Sequence, residues 1–142
     1  MEIKQNILDA VNEWLTPTFD KKTQEAVIEM MTSSPKDLEE SFYKNLEFGT
    51  GGMRGIMGAG NNRINKYTLG KSTQGLSDYL KIAFPNQPLK AVIAFDCRHN
   101  SKSLAKVVAD VFSANGIQVY LFSDLRPTPE LSFALKYLGC QC

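Results

Sequence analysis

The sequence predicts an α/β protein in which a mostly parallel sheet, flanked by helices, follows a helical N-terminal leader. Three observations carry that expectation. Apolar residues through the first 46 positions recur at helical spacing. A glycine-rich stretch then breaks the pattern, with five glycines between positions 48 and 58. Beyond it, short apolar runs alternate with amphipathic helical patterns, an order that calls for parallel strands joined by right-handed crossovers.

Taken in order, Ile3, Ile7, Leu8, Val11, Trp14 and Leu15 share one helix face, and Pro17 follows them. Asp20 is placed to cap a second helix with Ala26, Val27, Met30 and Met31 inward. Ser34-Pro35-Lys36-Asp37 reads as a third helix start, with Ser34 as cap and Leu38, Phe42 and Leu46 on the buried side. These elements form a leader over residues 1–46. A strand is expected within residues 52–57, followed by a polar loop. Asn65 can cap a long helix carrying Leu69, Leu76, Leu80 and Ala83 inward. Ala91-Val92-Ile93-Ala94-Phe95 is a continuous apolar run, as in a strand covered on both faces. Ser101 is expected to cap a helix with Leu104, Val108, Val111 and Phe112 inward, stopping near Gly116. A strand over residues 118–122 and a helix opened by Thr128-Pro129-Glu130 and stopped by Gly139 complete the series. Cys140-Gln141-Cys142 falls where the next strand is due, so the sheet is expected to lack an element.

The 142 residues suffice for one core of ordinary size or for part of a larger enzyme. The net charge of +1 gives no global field for nucleic acid or an acidic membrane surface. Anion binding must therefore come from local geometry. No apolar run approaches a membrane span and no secretory signal is visible. Three cysteines without framework spacing fit a reducing cytoplasm.

The chemistry concentrates at Phe48-Gly49-Thr50-Gly51-Gly52-Met53-Arg54-Gly55-Ile56-Met57-Gly58. Glycines let the backbone approach a ligand closely, and a loop rich in N–H donors with one guanidinium suits a phosphate ester. The competing reading is a turn that only redirects the chain. A dinucleotide fingerprint would need glycine at position 54, which is Arg54, and a P-loop ending at Gly70-Lys71-Ser72 would need glycine at position 65, which is Asn65. Asp96-Cys97-Arg98-His99-Asn100-Ser101 follows the apolar strand, where open parallel sheets place their ligand crevices. Asp96 and Arg98 can pair and orient the guanidinium toward an anion, or can simply support the turn and helix start. His99, the one histidine, has no nucleophile or orienting partner at a recognisable spacing. Cys140 and Cys142 lack a second ligand pair and read as small apolar side chains.

The segment Phe48-Gly49-Thr50-Gly51-Gly52-Met53-Arg54-Gly55 resembles the opening signature of the α-D-phosphohexomutases, the phosphoglucomutase/phosphomannomutase family. Asn61-Asn62-Arg63-Ile64-Asn65, the helix after it, Ala94-Phe95-Asp96-Cys97-Arg98 with Ser101, and Arg126-Pro127-Thr128-Pro129 agree with the first domain of those enzymes. The leader with Phe42-Tyr43-Lys44 is similar to the longer-chain branch that includes phosphopentomutases. The resemblance implies a domain with α/β/α layers over residues 47–142. It also implies a four-domain parent in which a phosphoserine, held by Mg²⁺, exchanges its phosphoryl group with a hexose phosphate through a hexose 1,6-bisphosphate. Arg54 would be the catalytic cation facing the phosphoserine, with Thr50, Gly51, Gly52 and Gly55 shaping the phosphate-binding loop and Asp96 and Arg98 in support. The partners implied are the hexose phosphate, its bisphosphate and the remaining domains of the same polypeptide, with no nucleic acid and no membrane. The family's phosphoserine motif, Thr-Ala-Ser-His-Asn-Pro, is absent, so the chain alone is expected to be inactive. The rival from another class is a non-catalytic module that binds sugar phosphates or mediates assembly.

Overall fold

The computed structural model describes residues 4–50 and 52–142. Ile3, expected on the first helix, and Gly51, expected in the phosphate loop, lie outside the described residues. The chain divides into two compact units, Met1–Thr68 and Leu69–Cys142.

In the first unit, α1 (Gln5–Trp14), α2 (Lys21–Ser33) and α3 (Pro35–Phe42) enclose a core of Ile7, Val11, Trp14, Val27, Leu38 and Phe42. Ile7, Val11 and Trp14 recur every three to four residues on α1, so one stripe meets the other helices. Burying side chains of this size contributes about 1.5–3 kcal/mol each. The Trp14 ring stacks on Phe19 at 4.5 Å and meets Phe42 and Tyr67 edge-on at 5.7 and 5.6 Å. Asp20 caps α2 by accepting from the Thr23 N–H at 3.0 Å. Its carboxylate also accepts from the Tyr67 hydroxyl at 2.6 Å and pairs with Lys66 at 2.8 Å. The Lys66 and Tyr67 hydrogen bonds hold the Asp20 carboxyl well below its ordinary value, and the same contact raises Lys66.

A short antiparallel hairpin follows, β1 (Phe48–Gly49) with β2 (Gly52–Met53). Residues 58–65 then fold back over the end of α3, and α4 (Lys66–Ala83) begins in this unit and continues into the next. Asn65 caps α4 as expected: its Oδ1 accepts from the Tyr67 and Thr68 N–H groups at 3.0 and 2.9 Å.

The second unit has β3 (Lys90–Ile93) and β4 (Gln118–Leu121) in parallel, with Ala91 opposite Val119 and Val92 opposite Tyr120. Successive side chains point to opposite faces. Ala91 accordingly packs with Leu80 of α4 and with Phe112 of α5 (Ser101–Ala114). Val92 packs with Ala134 of α6 (Thr128–Leu138) and with Cys140. The layers are helix, sheet and helix. The tail continues along the other edge of β3, where the Gln141 N–H donates to the Lys90 carbonyl at 3.0 Å and the Val92 N–H to the Cys142 carbonyl at 2.9 Å. Cys140 and Cys142 are free thiols within this packing, and burial raises both. No helix among the described residues is long and apolar enough to cross a membrane.

Several local expectations are corrected, the first being Met31, expected inward on α2 and exposed instead. The helix α3 stops at Phe42, short of Leu46, where Asn62 and Arg63 occupy the Glu40 and Ser41 carbonyls. The strand expected over 52–57 shrinks to Gly52–Met53 plus an isolated bridge from Met57 to Ile64, since glycine gives a strand no side chain to pack. The buried face of α4 is Thr73, Ser77 and Leu80, whereas Leu76 and Ala83 are exposed. Thr73 and Ser77 can be buried because their hydroxyls donate to the Leu69 and Thr73 carbonyls, both at 2.8 Å. The cap of α5 is Asn100, at φ 61°, and Ser101 is its first helical residue.

Gly60 is the tightest backbone approach. Its φ is +124°, and a Cβ there would lie 2.5 Å from the Ser41 carbonyl oxygen. Gly60→Ala is expected to lower stability by about 2–4 kcal/mol, from strain plus displaced backbone. Chemical denaturation of the two proteins measures it, and an unchanged midpoint would refute the packing role.

Candidate functional site

The loop carrying Arg54 is fixed at both ends by hydrogen bonds from distant residues. On its N-terminal side, the Leu46 N–H donates to the Asn61 carbonyl at 2.9 Å, and Gly52 opens β2 at φ +96°. On its C-terminal side, the Ile64 N–H donates to the Ile56 carbonyl at 2.8 Å and the Gly58 N–H to the Ile64 carbonyl at 3.3 Å. Gly55 fits beneath because a Cβ there would meet Leu46 Cδ1 at 2.8 Å.

The returning segment is in turn anchored to α3. The Asn62 N–H donates to the Ser41 carbonyl at 2.9 Å, and Asn62 Nδ2 to the Glu40 carbonyl at 3.0 Å. Arg63 is 5% exposed. Its Nη2 bonds Asp37 at 2.9 Å and its Nη1 donates to the Glu40 carbonyl at 3.1 Å. Asn61 Oδ1 accepts from the Trp14 indole at 2.7 Å. The base under Arg54 is therefore built from residues far apart in sequence.

The chain has four arginines. Arg63 pairs with Asp37, Arg98 with Asp96 and Arg126 with Glu130. Among the described residues no carboxylate pairs with Arg54, which is exposed. It borders two clefts of this unit. One, of about 410 Å³, is walled by Phe48, Gly49, Thr50 and Gly52 with Lys44 and Asn62. The other, of about 800 Å³, runs along the leader helices. An unpaired guanidinium offers its planar fork to an anion. Thr50, Gly52 and Arg54 thus border the smaller cleft, and Arg54 and Gly55 the larger. Lys44, Asn62 and Arg63 were not singled out as site residues, although the Asn61-Asn62-Arg63-Ile64-Asn65 run held the signal for two of them.

In the second unit, Asp96 and Arg98 lie just past the carboxyl end of β3. Arg98 Nε meets Asp96 Oδ2 at 2.6 Å, the Arg98 N–H donates to Asp96 Oδ1 at 3.1 Å, and the Asp96 N–H donates to Ser101 Oγ at 3.2 Å. With Lys102, Phe122 and Leu125 they border a cleft of about 820 Å³. The Ser101 hydroxyl, then Arg98, hold the Asp96 carboxyl below its ordinary value. His99 is exposed. Among the described residues no three His, Cys, Asp or Glu side chains converge to hold a metal ion.

Comparison with known proteins gives one consistent result. Residues 45–142 match the family model described as phosphoglucomutase/phosphomannomutase, alpha/beta/alpha domain I. A phosphoglucomutase of Staphylococcus epidermidis is 36% identical over 139 residues, covering 96% of this chain and 23% of that protein. A phosphopentomutase of Homo sapiens is 37% identical over 134 residues, covering 89% of this chain and 22% of that protein. A phosphoglucomutase of Staphylococcus haemolyticus is 40% identical over 100 residues, covering 70% and 18%. The chain thus spans under a quarter of the length of these relatives. No solved structure matches.

A carboxyl NMR titration should place the Asp96 midpoint below the ordinary 3.8. Ser101→Ala should move it upward, because the largest stabiliser of the charged form is removed. An unmoved midpoint would assign the shift to Arg98 instead.

Proposed function

The chain belongs to the phosphoglucomutase/phosphomannomutase family, and on that premise we propose that it is part of a phosphohexomutase. The reaction moves a phosphoryl group between the 1- and 6-positions of a hexose phosphate. A phosphoserine gives its phosphoryl group to one sugar hydroxyl. The resulting 1,6-bisphosphate returns the other phosphoryl group to the serine, so one phosphoryl group is gained and one lost. We assign residues 1–46 to a leader and 47–142 to the first domain. In this reading the phosphoserine and the Mg²⁺ ligands would be supplied by parts of the polypeptide outside these residues, and Mg²⁺ would offset phosphoryl charge there. The free cysteines suit a cytoplasmic enzyme.

One observation supports this reading most: Arg54 is the arginine without a carboxylate among the described residues, on the rim of the glycine-loop cleft. Phosphoryl transfer spreads negative charge over the equatorial oxygens, and a fixed guanidinium opposite them stabilises that charge. In this role Arg54 takes two phosphoryl oxygens through its fork. Thr50 supplies a hydroxyl, and Gly51, Gly52 and Gly55 let the backbone come near. Asp96 and Arg98 act in support, with the carboxylate fixing the direction of the guanidinium.

The purified chain should not convert glucose 1-phosphate to glucose 6-phosphate in a coupled assay, and measurable turnover would sink the assignment of the nucleophile elsewhere. In the full-length parent, Arg54→Lys keeps the charge and loses the fork. We expect kcat to fall on the order of 100-fold with the melting curve unchanged. Wild-type turnover would make Arg54 structural.

A further inference from the structure

We propose that the larger cleft beside Arg54 is a separate site for a small hydroxyl-bearing bisphosphate, built by the helical leader. Its volume of about 800 Å³ lies within the range of small-molecule sites, about 300–1,000 Å³. Cations reach it from several segments of the unit: Lys4 at the cap of α1, Lys36 in the first turn of α3, Lys44 just after α3, and Arg54 from the glycine loop. Arg63 also lines it but is committed to Asp37, and Lys44 lies 3.5 Å from Glu47. Lys4, Lys36 and Arg54 have no carboxylate partner among the described residues. Three unpaired cations around one cavity, in a chain whose net charge is +1, are a local feature. Their charge exceeds that of the two carboxylates in the same lining, Glu39 and Glu40, which leaves the cleft net positive.

The remaining lining narrows the ligand. Glu39 and Glu40 also border the cleft, so a ligand made only of phosphate would meet repulsion there. Carboxylates and the Asn62 amide accept sugar-type hydroxyls instead. Tyr43, 50% exposed at the same cleft, offers an apolar ring face to C–H groups. Phosphoryl groups on a polyol match a lining that holds both cations and hydroxyl acceptors. Lys4 and Lys36 do not border the glycine-loop cleft, so this site is distinct from it. Arg54, Lys44 and Asn62 border both. A ligand in the leader cleft that engages Arg54 therefore competes with a phosphate in the glycine loop, and the antagonism must be reciprocal. The binding itself stands whether or not Arg54 serves phosphoryl transfer.

Calorimetric titration of the 142-residue chain with fructose 1,6-bisphosphate tests the site. We expect saturable binding that weakens with added salt. The Lys4→Glu/Lys36→Glu double variant should lose at least about tenfold in affinity. Lys4→Gln/Lys36→Gln should lose less, and the equally charged control Lys21→Glu/Lys22→Glu, on α2, should keep wild-type affinity. All six substitutions fall on exposed side chains. Equal losses in the cleft and control variants would reduce the effect to bulk charge. Absence of saturable binding, or full affinity in both cleft variants, would overturn the proposal.

Discussion

The first unit depends on one close approach, Gly60 against the last turn of α3. A helix leaves its final carbonyls without intrahelical partners, and buried ones must be satisfied some other way. Here the Glu40 and Ser41 carbonyls accept from Asn62 and Arg63. That arrangement requires the returning chain to lie almost in contact with the helix, which a Cβ at Gly60 would forbid. Ser41, fully buried and small, supplies the matching space. From this contact the rest follows in order. Asn61 reaches Trp14 and Leu46, Ile64 reaches Ile56 and Gly58, and the glycine loop is held from both sides.

The arginines divide the labour of charge. Burying Arg63 costs several kcal/mol in lost hydration, which Asp37 and the carbonyls of α3 offset. Removing Asp37 would leave that charge buried and unpaired, so the pair matters as a fixed point more than as a source of stability. The pairs at Arg98 and Arg126 lie nearer the surface, where such contacts contribute about 0–1 kcal/mol. Their consequence is direction and neutrality. Arg54 is left as a charge without an internal counterion among the described residues, on a loop tied to α3 through residues 61–64.

Local chemistry was the legible part of the sequence. Asp20, Asn65 and Gly139 each cap or stop a helix through a side chain or a positive φ that acts within a few residues. The alternation of Ala91 and Val92 between two helix layers follows from the apolar run alone. What the pattern misjudged was tertiary. Leu76 was expected inside because leucine is apolar, yet Thr73 and Ser77 take the buried face by satisfying their hydroxyls within the helix. Arg63 looks like any surface cation until Asp37, 26 residues earlier, is brought beside it. Gly60 was one glycine among ten, and only the partner across the gap, Ser41, makes it irreplaceable.

The two groups of candidate residues therefore differ in what holds them. Asp96, Arg98 and Ser101 form their contacts within six residues of chain, through a turn that ends at the left-handed Asn100. Their geometry is a property of that turn and survives changes elsewhere in the fold. Arg54 has no such local support. The backbone of its loop is tied to Asp37, Glu40 and Ser41 by way of residues 61–64, so a change on α3 reaches the loop without touching it. A loop rich in glycine has few side chains of its own to spend on self-support. The support comes from α3 by way of residues 61–64, which couples the leader to the glycine loop even though it bears none of that loop's glycines.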